Sequence, residues 1–220
     1  MLAKSAFLSC DIYKYHLNTQ KNLSNCKFSN IFNNNKLSAM VTYDNELLFV
    51  TFRGCQDAKE VLNCIETKVV QPFITKPIKI SSPIWDRFDM EKESIESIVK
   101  DYVHNYKVSD IIFTGHSLGG ALAQLTGNFC DFPSTNKHCI TFGAPYVGDI
   151  AFKRDIENNI NDIQRVVIKR DIVPQIKFNK VLVHNGRDRI YNFKSKAPFP
   201  INLYENHKSI NYLKCIKGTH

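Results

Sequence analysis

The segment Phe113-Thr114-Gly115-His116-Ser117-Leu118-Gly119-Gly120-Ala121-Leu122 restricts the fold of this chain more than any other stretch. Its G-x-S-x-G core, Gly115 to Gly119, lies between an apolar run (Ile111, Ile112, Phe113) and a helix-prone run (Ala121 to Leu125). Strand, sharp turn and helix in that order form a nucleophile elbow, which lifts a serine hydroxyl at the end of a sheet. The turn is tight, so its flanks must be small. Glycine on both sides accepts unusual dihedrals and lets strand and helix pass closely. The helix starts directly behind Ser117, so its first amides face any oxyanion formed there.

A nucleophile needs a core to stand on. The 220 residues are 43% hydrophobic, enough for one domain over residues 1–220, with residues 1–36 carrying no assignable pattern. No apolar run reaches the ~18 residues of a membrane span. The stretch Met1 to Cys10 is too short in apolar length for a signal peptide and is closed by Asp11, so it reads as an ordinary first helix. The expected location is cytoplasmic or intracellular. Seven cysteines, an odd number without any C-x-x-C pair, predict reduced thiols rather than a disulfide framework or a zinc site. The formal net charge is +8, but the lysines are scattered, so no nucleic-acid partner is expected. The charge permits a general attraction to anionic membrane surfaces.

Along the chain, Asn18 to Asn35 is asparagine-rich and predicts a loop. Leu37–Tyr43 and Glu46–Phe52 predict two strands joined by a tight turn at Asp44-Asn45. Helical spacing predicts helices over Asp57–Thr67 and Ser94–Tyr106. After strand Ile111–Phe113 and the elbow come helix Leu118 to Cys130, strand His138–Phe142, helix Asp149–Glu157 and strand Gln164–Lys169. Strands near Val181–Val183 and Ile190–Phe193, with Asp188 in a hairpin, precede a last helix over Lys208–Ile216. Pro72, Pro77 and Pro83 predict an irregular stretch between Cys55 and Glu93. Alternation of strands and helices predicts an α/β fold with a mostly parallel central sheet flanked by helices.

A serine hydroxyl is a weak nucleophile until a base takes its proton, and the base works best when a third group orients it. The chain order for this arrangement is serine, acid, histidine. Asp171 is the strongest candidate for the acid, because the strand Val166-Val167-Ile168 delivers it to the C-terminal edge of the sheet, where ligands bind in such folds. Asp149, Asp155 and Asp162 lie on or beside a helix and read as solvated. Two histidines follow Asp171 at useful positions. His207 stands in a loop before the last helix, and His184 ends a strand as the alternative base. His220 is terminal, and His16, His104 and His138 break the order. His116 lies inside the elbow, points away from the nucleophile and reads as structural. The oxyanion needs two donors: the amide of Leu118 and one from the loop Phe52-Arg53-Gly54-Cys55.

These residues together resemble the class 3 lipases, the fungal and plant triacylglycerol lipase family with an α/β-hydrolase core. Thr114 to Ala123 matches T-G-H-S-L-G-G-A-L-A residue for residue. Thr51-Phe52-Arg53-Gly54-Cys55 resembles an apolar strand ending in F-R-G-T, and Phe142-Gly143-Ala144-Pro145 with Val147-Gly148 resembles F-G-x-P-x-V-G. Asp171-Ile172-Val173-Pro174 resembles D-x-V-P, His184-Asn185-Gly186 resembles H-x-G, and His207 with Tyr212 resembles H-x-x-Y more loosely. The resemblance spans about residues 37–213.

It implies Ser117 as nucleophile, Asp171 as orienting acid, His207 as general base, and an oxyanion hole from the amides of Cys55 and Leu118. It implies His184 as a non-catalytic histidine. No metal or organic cofactor is expected. The implied substrates are acylglycerols or related lipid esters, with transient contact to a membrane or lipid-droplet surface. Alternatives on the same triad are a phospholipase or acyltransferase, and a different class is a catalytically silent lipid-binding homologue. Cys55 departs from the Thr, Ser or Asp of the family, and a thiol is a weaker donor, so a slower enzyme is expected. The short Cys55–Glu93 stretch implies a small lid and tolerance of short-chain or monoacyl esters.

Overall fold

Runs that bury side chains on both faces form the centre of the sheet. The computed structural model describes residues 1–13, 27–33, 36–55, 68–132, 136–177, 179–193, 195, 197–198 and 205–218. In chain order the elements are α1 (Leu2–Asp11), β1 (Lys27–Asn33), β2 (Lys36–Asp44), β3 (Leu47–Phe52), β4 (Val69–Val70), β5 (Ile80–Ser81), α2 (Ser82–Asp89) and α3 (Lys92–Asn105). Then follow β6 (Asp110–His116), α4 (Leu118–Phe129), β7 (Asn136–Phe142), α5 (Ile150–Asn159), β8 (Asp162–Ile168), β9 (Arg187–Tyr191) and α6 (Ser209–Lys217).

Seven strands lie in the order β1-β2-β3-β6-β7-β8-β9. The first three pair antiparallel, and from β3 onward every pairing is parallel. Successive residues of a strand point to opposite faces. Accordingly Leu48, Val50, Ile111 and Phe113 join one core with α2, α3, α4 and α5, which contribute Phe88, Val99, Leu125 and Ile156. Phe49, Ile112, Ile140, Phe142, Val166 and Ile168 join the other, with Leu8 of α1 and Leu213 of α6. Covered faces on both sides explain the near-continuous apolar strands. Among the described residues, no helix is long and apolar enough to cross a membrane.

The N-terminal helix, the β2–β3 hairpin and the elements from Ser94 to Ile168 form where the sequence predicts them, within a few residues. Four expectations need correction. The asparagine-rich segment is not all loop: Lys27–Asn33 is the edge strand β1, which pairs with β2 across a bulge at Ile31/Phe32. An edge strand is exposed, so polar residues do not count against it. The stretch before Glu93 is more regular than its prolines suggest. Val69–Val70 pairs with Ile80–Ser81, and Pro83 lies in the first turn of α2, where its missing amide costs nothing. Near Val181–Val183 there is only a bridge from Val183 to Gly148. Asp188 therefore sits in no hairpin; it lies in β9, parallel to β8, and grips Arg165 through both carboxylate oxygens at 2.9 and 2.8 Å. The helix predicted over Asp57–Thr67 falls outside the described residues.

The crossing of β6 and α4 is the tightest spot. A Cβ on Gly115 would stand 2.3 Å from the Gly119 carbonyl carbon, and one on Gly119 would stand 2.2 Å from the Phe52 carbonyl oxygen. Backbone atoms on both sides cannot retreat. Gly119→Ala is therefore expected to cost about 3 kcal/mol, the upper range for overpacking. Thermal unfolding would show this as a fall of roughly 6–12 °C for a chain of this size. An unchanged Tm would contradict the crossing.

Candidate active site

The crowded crossing puts Ser117 in an unusual conformation. Its φ is 58°, left-handed for a residue that carries a Cβ. Such backbone strain persists only where the surroundings enforce it. Here Gly115 and Gly119 press strand and helix together, while the Ser117 amide donates to the Phe142 carbonyl at 2.9 Å. Ser117 is the residue just before α4, so the hydroxyl stands at the open N-terminal turn of a helix buried along nearly its whole length.

The structure brings the three predicted side chains together. His207 Nε2 lies 2.8 Å from Ser117 Oγ, and His207 Nδ1 lies 2.8 Å from Asp171 Oδ2. Asp171 is fully buried, and the serine and histidine are nearly so. A buried carboxylate must be hydrogen-bonded to be tolerated. Asp171 Oδ1 accepts the Val173 amide at 2.9 Å, and Oδ2 also accepts the hydroxyl of Tyr212 in a short hydrogen bond. The Tyr212 oxygen in turn accepts the Ile168 amide at 3.3 Å. Burial and the neighbouring Asp171 charge push the Tyr212 phenol well above its ordinary range, so it stays a donor. Gly143 makes room for this pair: its φ is +58°, and a Cβ there would stand 2.7 Å from both Asp171 Oδ2 and the Tyr212 hydroxyl.

The loop expected to supply the second oxyanion donor follows β3. The Arg53 amide donates to the Ser38 carbonyl at 2.9 Å, and Gly54 packs so closely that a Cβ would come within 3.2 Å of Ser117 Cβ. Cys55 is the next residue, half-buried, and Leu118 opens α4 on the other side of the serine.

Other candidates lie elsewhere. His184 donates from Nε2 to the Pro174 carbonyl at 2.8 Å and stacks on Tyr146 at 3.6 Å, so it holds the loop behind Asp171. Asp149 caps α5 by accepting the Phe152 amide, Asp155 binds Lys76 and Asn128, and Asp162 opens β8 opposite Arg187. These three are engaged in structural bonds rather than simply solvated. His116 lies behind the elbow, but its ring packs on that of His207 at 4.6 Å. Tyr13, two residues past the end of α1, reaches the same place, and no motif in the sequence points to it.

The strand order, the elbow and the serine–histidine–aspartate series make this an α/β-hydrolase fold. The family model for lipase (class 3) matches residues 49–181, more than half of the chain. The chain belongs to the class 3 lipase family. A curated lipase of Rhizopus niveus is 27% identical over 134 residues, covering 59% of this chain and 34% of that protein. The match thus spans about a third of the length of that relative. Lipase II from Rhizopus niveus shares the fold with a TM-score of 0.75 at 19% identity, over 93% of this chain and 91% of that one. A triacylglycerol lipase whose catalytic centre is a serine protease triad superposes with a TM-score of 0.70 at 21% identity, covering 88% and 80%.

Two buried histidines make stability depend on pH. Burial pushes His116 well below its ordinary 6.5 and pushes His184 down to about 4, helped by the nearby Arg165 charge. In the unfolded chain both bind protons below pH 6.5, while the folded chain binds them only at lower pH. Stability is therefore fully present above 6.5 and lost as pH falls toward about 4. Tm measured across that window should drop on acidification, and His184→Gln should make the drop shallower. A wild-type Tm that stays flat down to pH 4 would contradict the burial of neutral imidazoles.

Proposed function

We propose that the protein is a serine-dependent ester hydrolase of the lipase type, acting on acylglycerols or related lipid esters through an acyl-enzyme. The observation that carries this reading is the unbroken series Ser117 Oγ, His207, Asp171, with 2.8 Å at each step. The family membership and the lipases named above support the substrate class.

In the first half-reaction Ser117 Oγ attacks the acyl carbonyl carbon while His207 Nε2 takes the hydroxyl proton. The carbonyl oxygen becomes an oxyanion facing the amides of Leu118 and Cys55, where fixed donors stabilise it. The ester C–O bond then breaks, and His207 gives its proton to the departing alcohol. Water enters next. His207 takes one of its protons, the oxygen attacks the acyl carbon, and the fatty acid leaves as the proton returns to Ser117. Asp171, held by Tyr212 and the Val173 amide, keeps Nδ1 of His207 protonated and the ring in place. Every proton is handled by His207, so the cycle as written draws on no metal or organic cofactor. Transient contact with a membrane or lipid-droplet surface is the proposed route to substrate, favoured by the net charge of +8.

Cys55 keeps the backbone amide but not a hydroxyl. Since one oxyanion donor contributes about 10²–10³ in rate, Cys55→Ser is expected to raise kcat by up to about 10². Equal kcat values would show that the side chain does not reach the oxyanion.

A fluorophosphonate should label the wild type at Ser117 and leave Ser117→Ala unlabelled. Turnover of p-nitrophenyl esters and glycerides should fall by at least about 10⁴ in Ser117→Ala and in His207→Ala. Folded wild-type protein that takes no label and hydrolyses no ester would instead mark a silent lipid-binding homologue.

A further inference from the structure

His116 and Tyr13 are not needed in the cycle above, yet they are packed directly against it. The His207 carbonyl oxygen lies 2.5 Å from Nε2 of His116. A carbonyl can only accept, so Nε2 carries the hydrogen. Burial, with the neighbouring His207, lowers the affinity of the His116 ring for a second proton, so the ring is neutral and Nδ1 is an acceptor. The Tyr13 hydroxyl lies 2.9 Å from that Nδ1 and supplies the donor. Its other approach, 3.5 Å to the His116 carbonyl, is the poorer bond. Burial pushes the phenol far above its ordinary value, so the hydrogen is present at any working pH. The circuit continues on the far side, where the Tyr13 oxygen packs against the Gly54 backbone. The fit is close: a Cβ on Gly54 would stand 2.4 Å from that oxygen.

We propose that Tyr13 and His116 are positioning residues that tie the oxyanion loop to the backbone of the general base. The proposal rests on the roles given above to Ser117, His207 and Cys55. The chain of contacts runs from Gly54, one residue before Cys55, through Tyr13 and His116 to the His207 carbonyl. It fixes the spacing between the group that moves the proton and the amide that meets the oxyanion. Asp171 already orients the His207 ring, but through its side chain alone. His116 holds the same residue by its main chain. The link also explains why the elbow carries a histidine beside the serine. It assigns a task to α1, which packs in the same core as α6 and delivers Tyr13 just beyond its end.

The test compares Tyr13→Phe, His116→Gln and His116→Leu in kcat, KM and fluorophosphonate labelling rate, with ¹⁵N NMR of the histidine rings. A misplacement near 1 Å costs up to about 10² in rate, so Tyr13→Phe should lower kcat by about 10-fold and His116→Leu by about 10²-fold. KM should stay within about twofold, because substrate binding is untouched. The amide nitrogen of Gln at 116 replaces Nε2–H, so His116→Gln should recover most of what His116→Leu loses. The wild-type NMR spectrum should show His116 with the proton on Nε2. Wild-type kcat in Tyr13→Phe, His116→Gln no better than His116→Leu, or a proton on Nδ1 would each overturn the link while leaving the hydrolase intact. A folded wild type that neither labels nor turns over would overturn the hydrolase reading and this proposal with it.

Discussion

The close crossing of strand β6 and helix α4 governs this molecule. Gly115 and Gly119 leave no room for a Cβ, and the backbone between them has one way to turn. That turn forces Ser117 to φ 58° and raises its hydroxyl at the C-terminal edge of the sheet. The conformation is costly for a residue with a side chain, and it is stable because α4 is buried against the sheet. A serine in an ordinary loop would be free to rotate away from the imidazole it contacts. This one is held by the same packing that holds the core.

The second constraint is a buried carboxylate. Asp171 sits at the end of β8 with no access to water, so each oxygen must find donors inside the protein. Val173, Tyr212 and His207 supply them. Orientation of the His207 ring is thus a by-product of satisfying a buried charge. Gly143 is glycine for the same reason, since a side chain there would strike both Asp171 and Tyr212. The proposed link through Tyr13 and His116 extends this logic to the main chain of His207.

Much of this was readable in the sequence, and the reasons differ by residue. The elbow was legible because its geometry admits few residue types, so Gly115, Ser117 and Gly119 announce it together. Asp171 and His207 were legible because an apolar strand and a terminal helix bracket them and fix which end of the sheet they reach. Edge strand β1 was not, because a strand paired on one side only need not carry an apolar pattern, and Lys27–Asn33 is rich in polar residues. Helix α2 was hidden by Pro83, which breaks a helix interior but starts a helix well. Tyr13 was invisible for a deeper reason. Its partners, at positions 54 and 116, are distant in the chain, and nothing local distinguishes it from any other tyrosine after a helix. His116 was read as structural because only the folded backbone brings the His207 carbonyl to its ring.

The central claim is spatial: one hydroxyl, one imidazole, one carboxylate and two amides converge on a single reacting carbon. A crystal structure of the protein phosphonylated by a fluorophosphonate tests it most directly. The account predicts phosphorus bonded to Ser117 Oγ and its oxygen about 2.7–3.1 Å from the amides of Cys55 and Leu118, the spacing of a working oxyanion hole. Phosphorus on another side chain, or an oxygen turned to solvent with neither amide in reach, would contradict it.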